Sequence, residues 1–136
     1  MVARSMKAET AEWVAKAEGD FADARRGVRA RTHPNPDGVC FHVQQCLEKY
    51  LKARLVEAGA TFPKTHDLGR ILDLIVPLEP LWAAWRPDLN LITSFAVEYR
   101  YPGESATKED ARHSFHLCRA FRTNLRESLG LPVTQA

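Results

Sequence analysis

Four polar side chains in this sequence are suited to chemistry on an anion: His42, Gln45, Lys49 and Lys52, set three, four and three positions apart. On a helix that spacing puts them on one face. Two ammonium groups, an amide and an imidazole so arranged can neutralise and donate to phosphoryl oxygens, which makes the row a candidate phosphate or nucleotide site. The same pattern also describes a solvated face in which Glu48 and Lys52 form a helix pair. A second set, Lys64 to Asp67, stands at a helix start, where backbone N–H groups favour an anion. His66 is its candidate ligand residue; Asp67 opposes the idea by occupying the positive end itself, and capping alone would account for both. The third is Arg100, between Tyr99 and Tyr101 and followed by Pro102-Gly103. A guanidinium on such a turn can clamp a phosphate or stack on a base, or it can tie the loop to Glu98 or another carboxylate.

Other chemistries find less support. His113 and His116 lie three apart, but no Glu or further His completes a helix-borne zinc pattern, so no metal is expected. Ser5, Ser94, Ser105 and Ser114 occur in no nucleophile-elbow context, and no glycine-rich phosphate loop exists, so hydrolase and kinase-like activities and bound cofactors are not expected. Cys40, Cys46 and Cys118 are odd in number and embedded in helical patterns, which predicts buried thiols in a reducing compartment. Nineteen basic against seventeen acidic side chains leave a net charge of +2, too small for a protein that coats nucleic acid. Any basic site must be local.

The elements that carry these residues read as helices. From Thr10, a candidate N-cap, Trp13, Ala17, Phe21, Ala24 and Val28 recur at helical spacing, and basic residues precede the breaker His33-Pro34-Asn35-Pro36. Asn35 as cap and Pro36 at the first position open a second helix, running from about Asn35 to Ala58 and stopped by Gly59. Its stripe of Cys40, Val43, Leu47, Leu51, Leu55 and Ala58 faces a core. A third helix, capped by Thr65 or Asp67, runs through Ile75; Pro77 and Pro80 leave Glu79 to Trp85 as a short helical piece. A fourth begins near Asp88, and a fifth follows the capping pair Thr107 and Asp110 to Gly130, with Arg122 interrupting its apolar stripe. The fold class is all-α: an up-and-down bundle of four long helices plus a short extra one.

At 136 residues one domain, 1–136, is expected, with 1–8 and 131–136 as mobile ends. No apolar run marks a signal peptide or a membrane span, so no membrane is expected as a partner and the cytoplasm is the expected location.

Three blocks together, Cys40 to Ala53, Lys64-Thr65-His66-Asp67-Leu68 and Tyr99-Arg100-Tyr101-Pro102-Gly103, resemble the HEPN family (higher eukaryotes and prokaryotes nucleotide-binding). The resemblance implies a bundle of four or five helices, frequent homodimers, and small prokaryotic members often encoded beside a minimal nucleotidyltransferase. Some members are metal-independent ribonuclease toxins and others non-catalytic binding modules. The ribonucleases carry an Arg and a His with four to six residues between them, a pairing in which His moves the 2′-hydroxyl proton and Arg steadies the charged phosphorane-like state. Here only Arg26 and His33 have that spacing, and they lie at the end of the first helix and in a Pro-rich loop.

The leading expectation is therefore a non-catalytic module that binds a nucleotide or a nucleotidyltransferase partner in a toxin–antitoxin-like pair. Its candidate ligand residues are His42, Gln45, Lys49, Lys52, His66, Arg100 and Tyr101. The alternatives are a ribonuclease, with RNA as substrate and a site across a dimer using Arg100 with His113 or Arg26 with His33, and a structural adaptor with Trp82 and Trp85 as an exposed partner patch.

Overall fold

A computed structural model describes residues 5–133. The chain forms α1 (Ala8–Arg29), α2 (Pro36–Glu57), α3 (Leu68–Ile75), a 3₁₀ helix (Pro80–Trp85), α4 (Arg86–Glu98) and α5 (Lys108–Ser128). Three helices are long, at 22, 22 and 21 residues, while α3 has 8 and α4 has 13. The expected count of four long helices is thus reduced by the proline-bounded middle of the chain. The expected mobile ends, 1–8 and 131–136, fall partly outside the described residues; Lys7 itself is tied down, its N–H bonded to Glu57 and its ammonium to the Val56 carbonyl. Among the described residues no helix is long and apolar enough to cross a membrane.

α2 is the central element and packs on α1, α3, α4 and α5. Its start follows from its sequence: the Asn35 side chain accepts from the Gly38 N–H, with Pro36 at the first turn. Its end is a Schellman turn, in which Ala60 N–H reaches the Leu55 carbonyl and Gly59 N–H the Val56 carbonyl. Gly59 adopts φ +75°, a conformation a side chain would strain. α5 opens on the complete capping box of Thr107 and Asp110 and closes on a second Schellman turn at Gly130. Two starts fall two residues before their expected places, that of α4, at Arg86 instead of about Asp88, and that of α1. α1 begins at Ala8, and Thr10, expected to cap it, is buried inside the helix.

Pairs of contacts give the directions of the helices: Glu18 with Tyr50 and Asp20 with His42 between α1 and α2, Glu18 with Arg122 and Phe21 with Phe115 between α1 and α5, Cys40 with Ser114 and Arg54 with Ser128 between α2 and α5. α1 runs against α2 and against α5. α5 runs parallel to α2, because α3, the 3₁₀ helix and α4 intervene. Tyr50, Leu47, Leu51 and Leu55 of α2 are fully buried, with Leu68, Ile71, Leu72, Leu89, Ile92 and Leu125 around them. Arg122, the break in the α5 stripe, is buried at 5% exposure and donates twice to Glu18 at 2.7 Å while lying 4.3 Å over the Phe21 ring. Trp82 and Trp85 do not form the exposed patch expected of an adaptor. They stack on each other, Trp85 stacks on Phe121, and Trp82 joins the core at 8% exposure, because large aromatic rings gain more by leaving water.

Candidate functional site

The polar row on α2 does not face open solvent. His42 Nδ1 lies 2.9 Å from Asp20 of α1, and Lys49 donates to the other oxygen of the same carboxylate at 2.5 Å. Gln45 donates to the Gln44 side chain. Lys52, expected to face a ligand, is buried at 6% exposure, and its ammonium is surrounded by Glu48 at 2.9 Å and by the rings of Trp13 and Phe62 at 5.7 and 5.8 Å. The row's charges therefore pair with carboxylates of the bundle, and Lys52 is withdrawn from the surface by its neighbours on α1 and the 58–67 linker.

Glu48, four residues before Lys52 and also buried, organises a different site. Its carboxylate accepts from Lys52, from Gln44 at 3.1 Å and from His66 Nδ1 at 3.0 Å. Burial works against the charge, but the hydrogen bonds from Lys52, His66 and Gln44 outweigh it and hold this carboxyl below its usual value. Gln44 also donates to the His66 carbonyl, so the backbone and ring of His66 are both anchored to α2. With Nδ1 turned to Glu48, Nε2 is the ring nitrogen left for a ligand, and the ring itself is largely exposed. Asp67 next to it caps α3 through the N–H groups of Gly69 and Arg70.

Gln44, His66, Asp67 and Arg100, with Thr93, Ala96 and Val97 of α4, line one cleft of about 200 Å³. The Arg100 turn is fixed on both flanks. Tyr99 donates its hydroxyl to Asp110 at 3.1 Å, and beyond the turn the Ala106 N–H donates to Asp37 at the start of α2. Among the described residues Arg100 has no carboxylate partner, and Tyr101 is 63% exposed beside it. An imidazole held by a buried carboxylate thus meets a free guanidinium across a concave surface, an arrangement suited to a phosphate group. A family model described as HEPN domain matches residues 10–128. The chain belongs to the HEPN domain family. No curated protein and no solved structure matches it.

Within this HEPN domain, two of the residues named from sequence, His66 and Arg100, share the cleft, and Tyr101 adjoins it. His42, Gln45, Lys49 and Lys52 do not line it. Gln44 and Thr93 do, and only the helical repeat offered a signal for Gln44, which sits one turn before Glu48. Among the described residues no hydrogen bond, ion pair or shared cleft joins Arg26 to His33 or Arg100 to His113; Arg26 pairs with Asp23, and His33 is exposed at φ +50°. The three cysteines are free and buried. Burial pushes the Cys40 thiol up to about 11 and that of Cys46 well above its usual value, so neither is a thiolate at neutral pH.

Proposed function

We propose that this HEPN domain is a non-catalytic module that binds the phosphate of a nucleotide in the cleft between α2, α3 and α4. The observation that carries the reading is the convergence of the three sequence blocks on that cleft, with His66 steadied by Glu48 opposite an unpaired Arg100. A cleft of about 200 Å³ is smaller than the ~300 Å³ at which small-molecule pockets begin, so it takes the phosphate and sugar and leaves the base outside. Tyr101 is the exposed ring available to cover that base. The module acts as a cytoplasmic homodimer with a nucleotidyltransferase in a toxin–antitoxin-like pair. Support for the partner is the family membership together with the order of the three blocks.

Thermal shift with ATP, GTP and a short RNA tests the binding, and co-purification with a nucleotidyltransferase tests the pairing. Stabilisation by a nucleotide that is lost in Arg100→Ala supports the module. Cleavage of RNA by the pure protein, abolished by His66→Ala, would contradict it and favour the ribonuclease reading, since His66 and Arg100 supply an imidazole and a guanidinium without the ribonuclease spacing.

A further inference from the structure

The seam between α1 and α5 carries cations that neither the core nor the cleft uses. On α1 they are Arg25 and Arg29, one turn apart; on α5 they are Lys108, Arg112 and Arg119, on one stripe. The antiparallel packing of the two helices brings them together. Phe21 and Phe115 stack across the seam with centroids 5.3 Å apart, Arg25 lies 5.9 Å over the first ring and Arg119 5.7 Å over the second. Toward the other end, Lys108 and Arg112 share a notch with Gly27, Val28 and Ala30, the turn of α1 that also bears Arg29.

Among the described residues these charges have no carboxylate partner. Glu18, the carboxylate at the floor of the seam, is taken by Arg122 at 2.7 Å, with Arg126 3.8 Å away. Asp110 is held by the Thr107 N–H and the Tyr99 hydroxyl. Among the described residues no carboxylate, Glu109 included, forms an ion pair with any of the five cations. Ring contacts of Arg25 and Arg119 and the C-terminal place of Arg29 on α1 account for part of this set, but among the described residues nothing in the fold offsets Lys108 and Arg112. Arg25 with Arg29 and Lys108 with Arg112 are like charges four residues apart, and Lys108 stands in the first turn of α5, at the positive end of the helix dipole. An anion along the seam would relieve both conflicts.

The shape limits what that anion is. From Lys108 to Arg119 the stripe is about 16 Å long, enough for several consecutive phosphates, so a single small anion would leave most of it unused. Packed helices stand roughly 8–10 Å apart, so cations on both banks flank one strand and not a duplex. The two rings at the floor are buried, at 3% and 7% exposure, and cannot stack on bases. We propose that the α1–α5 seam is a groove for the phosphodiester backbone of single-stranded nucleic acid, held by Arg25, Arg29, Lys108, Arg112 and Arg119 without reading the bases.

Fluorescence anisotropy of the full chain with labelled RNA and DNA single strands of about twelve nucleotides, titrated at several salt concentrations, tests this. Both strands should bind at low salt, with similar affinity and little dependence on sequence. The double variant Arg112→Gln with Arg119→Gln alters two exposed side chains, and circular dichroism verifies that it folds. It should weaken binding roughly tenfold at low salt and flatten the slope of log K against log salt by about 1.4, as expected for two lost phosphate contacts. Arg70→Gln, an exposed cation on α3, should change neither. Absence of binding at low salt, or a salt slope unchanged in the double variant, would overturn the proposal. So would a double variant that loses capture of an acidic protein while still binding the strands as before.

Discussion

Glu48 is the residue on which most of the polar interior depends, because one carboxylate holds a buried ammonium, a buried amide and the histidine of the cleft. Glu48→Gln leaves Lys52 charged and unpaired between Trp13 and Phe62, a change that should destabilise the protein by about 3–5 kcal/mol, read from urea unfolding. Replacing both partners, Glu48→Gln with Lys52→Met, should recover most of that loss, since an apolar chain of similar length suits the two rings. The pH dependence follows from the same contacts. Glu18 and Glu48 both sit below the ordinary value of 4.5: burial raises each, and hydrogen bonds from Arg122 and Tyr50 for Glu18, and from Lys52, His66 and Gln44 for Glu48, more than reverse it. A carboxyl lowered in the folded state contributes stability that is complete above its unfolded value and fades as pH falls through the folded one. The urea midpoint should therefore stay level above about pH 5 and drop below 4.5, with a shallower acid limb in Glu48→Gln. Little of this was legible from spacing alone. His42, Gln45, Lys49 and Lys52 do share a helical side, but spacing does not tell whether that side meets water or a neighbouring helix, and here Asp20 and Glu48 were waiting on it.

Elements were easier to read, because helix ends are local chemistry. Asn35, Asp67 and Thr107 each cap the helix that their sequence context announced, and Gly59 and Gly130 each end one. Thr107→Ala removes the hydroxyl that accepts from the Asp110 N–H and leaves only the backbone half of the capping box, and should lower stability by about 1 kcal/mol, measurable as a fall in Tm. α1 was misplaced by two residues because Thr10, a good cap by type, lies inside the helix, fully buried and with its hydroxyl unpaired, while Lys7 takes the cap position without a side-chain cap. Close approach of elements leaves a weaker trace. A Cβ on Gly27 would stand 2.6 Å from Cγ2 of Val39, so α1 and α2 can cross there only with a glycine. Gly27→Ala should gain up to about 1 kcal/mol of helix propensity and lose about 1–3 kcal/mol to the clash, a net destabilisation that also shifts the seam above it. Thermal unfolding of that variant checks the sign.

At the scale of the whole molecule, α2 is in contact with all four other α-helices, and thirteen of its 22 residues are buried. Its amides should exchange with solvent only through global unfolding, while the Arg100 turn, held at its flanks by side chains, exchanges much faster; native-state hydrogen exchange distinguishes the two. The all-helical bundle and the family were readable from sequence because both rest on periodic stripes and three short blocks. The convergence of those blocks was not, since it depends on α3 and α4 folding back over α2. That convergence makes the cleft, with His66 steadied from within and Arg100 left unpaired, the central claim about this HEPN domain. Calorimetric titration of the wild-type protein with ATP and GTP, repeated on Arg100→Ala and His66→Ala, tests it most directly. Saturable binding of a nucleotide by the wild type is expected, weakened about tenfold or more by either substitution, since each removes a side chain that faces the phosphate in the cleft. Absence of binding by both nucleotides, or binding that neither substitution alters, would contradict it.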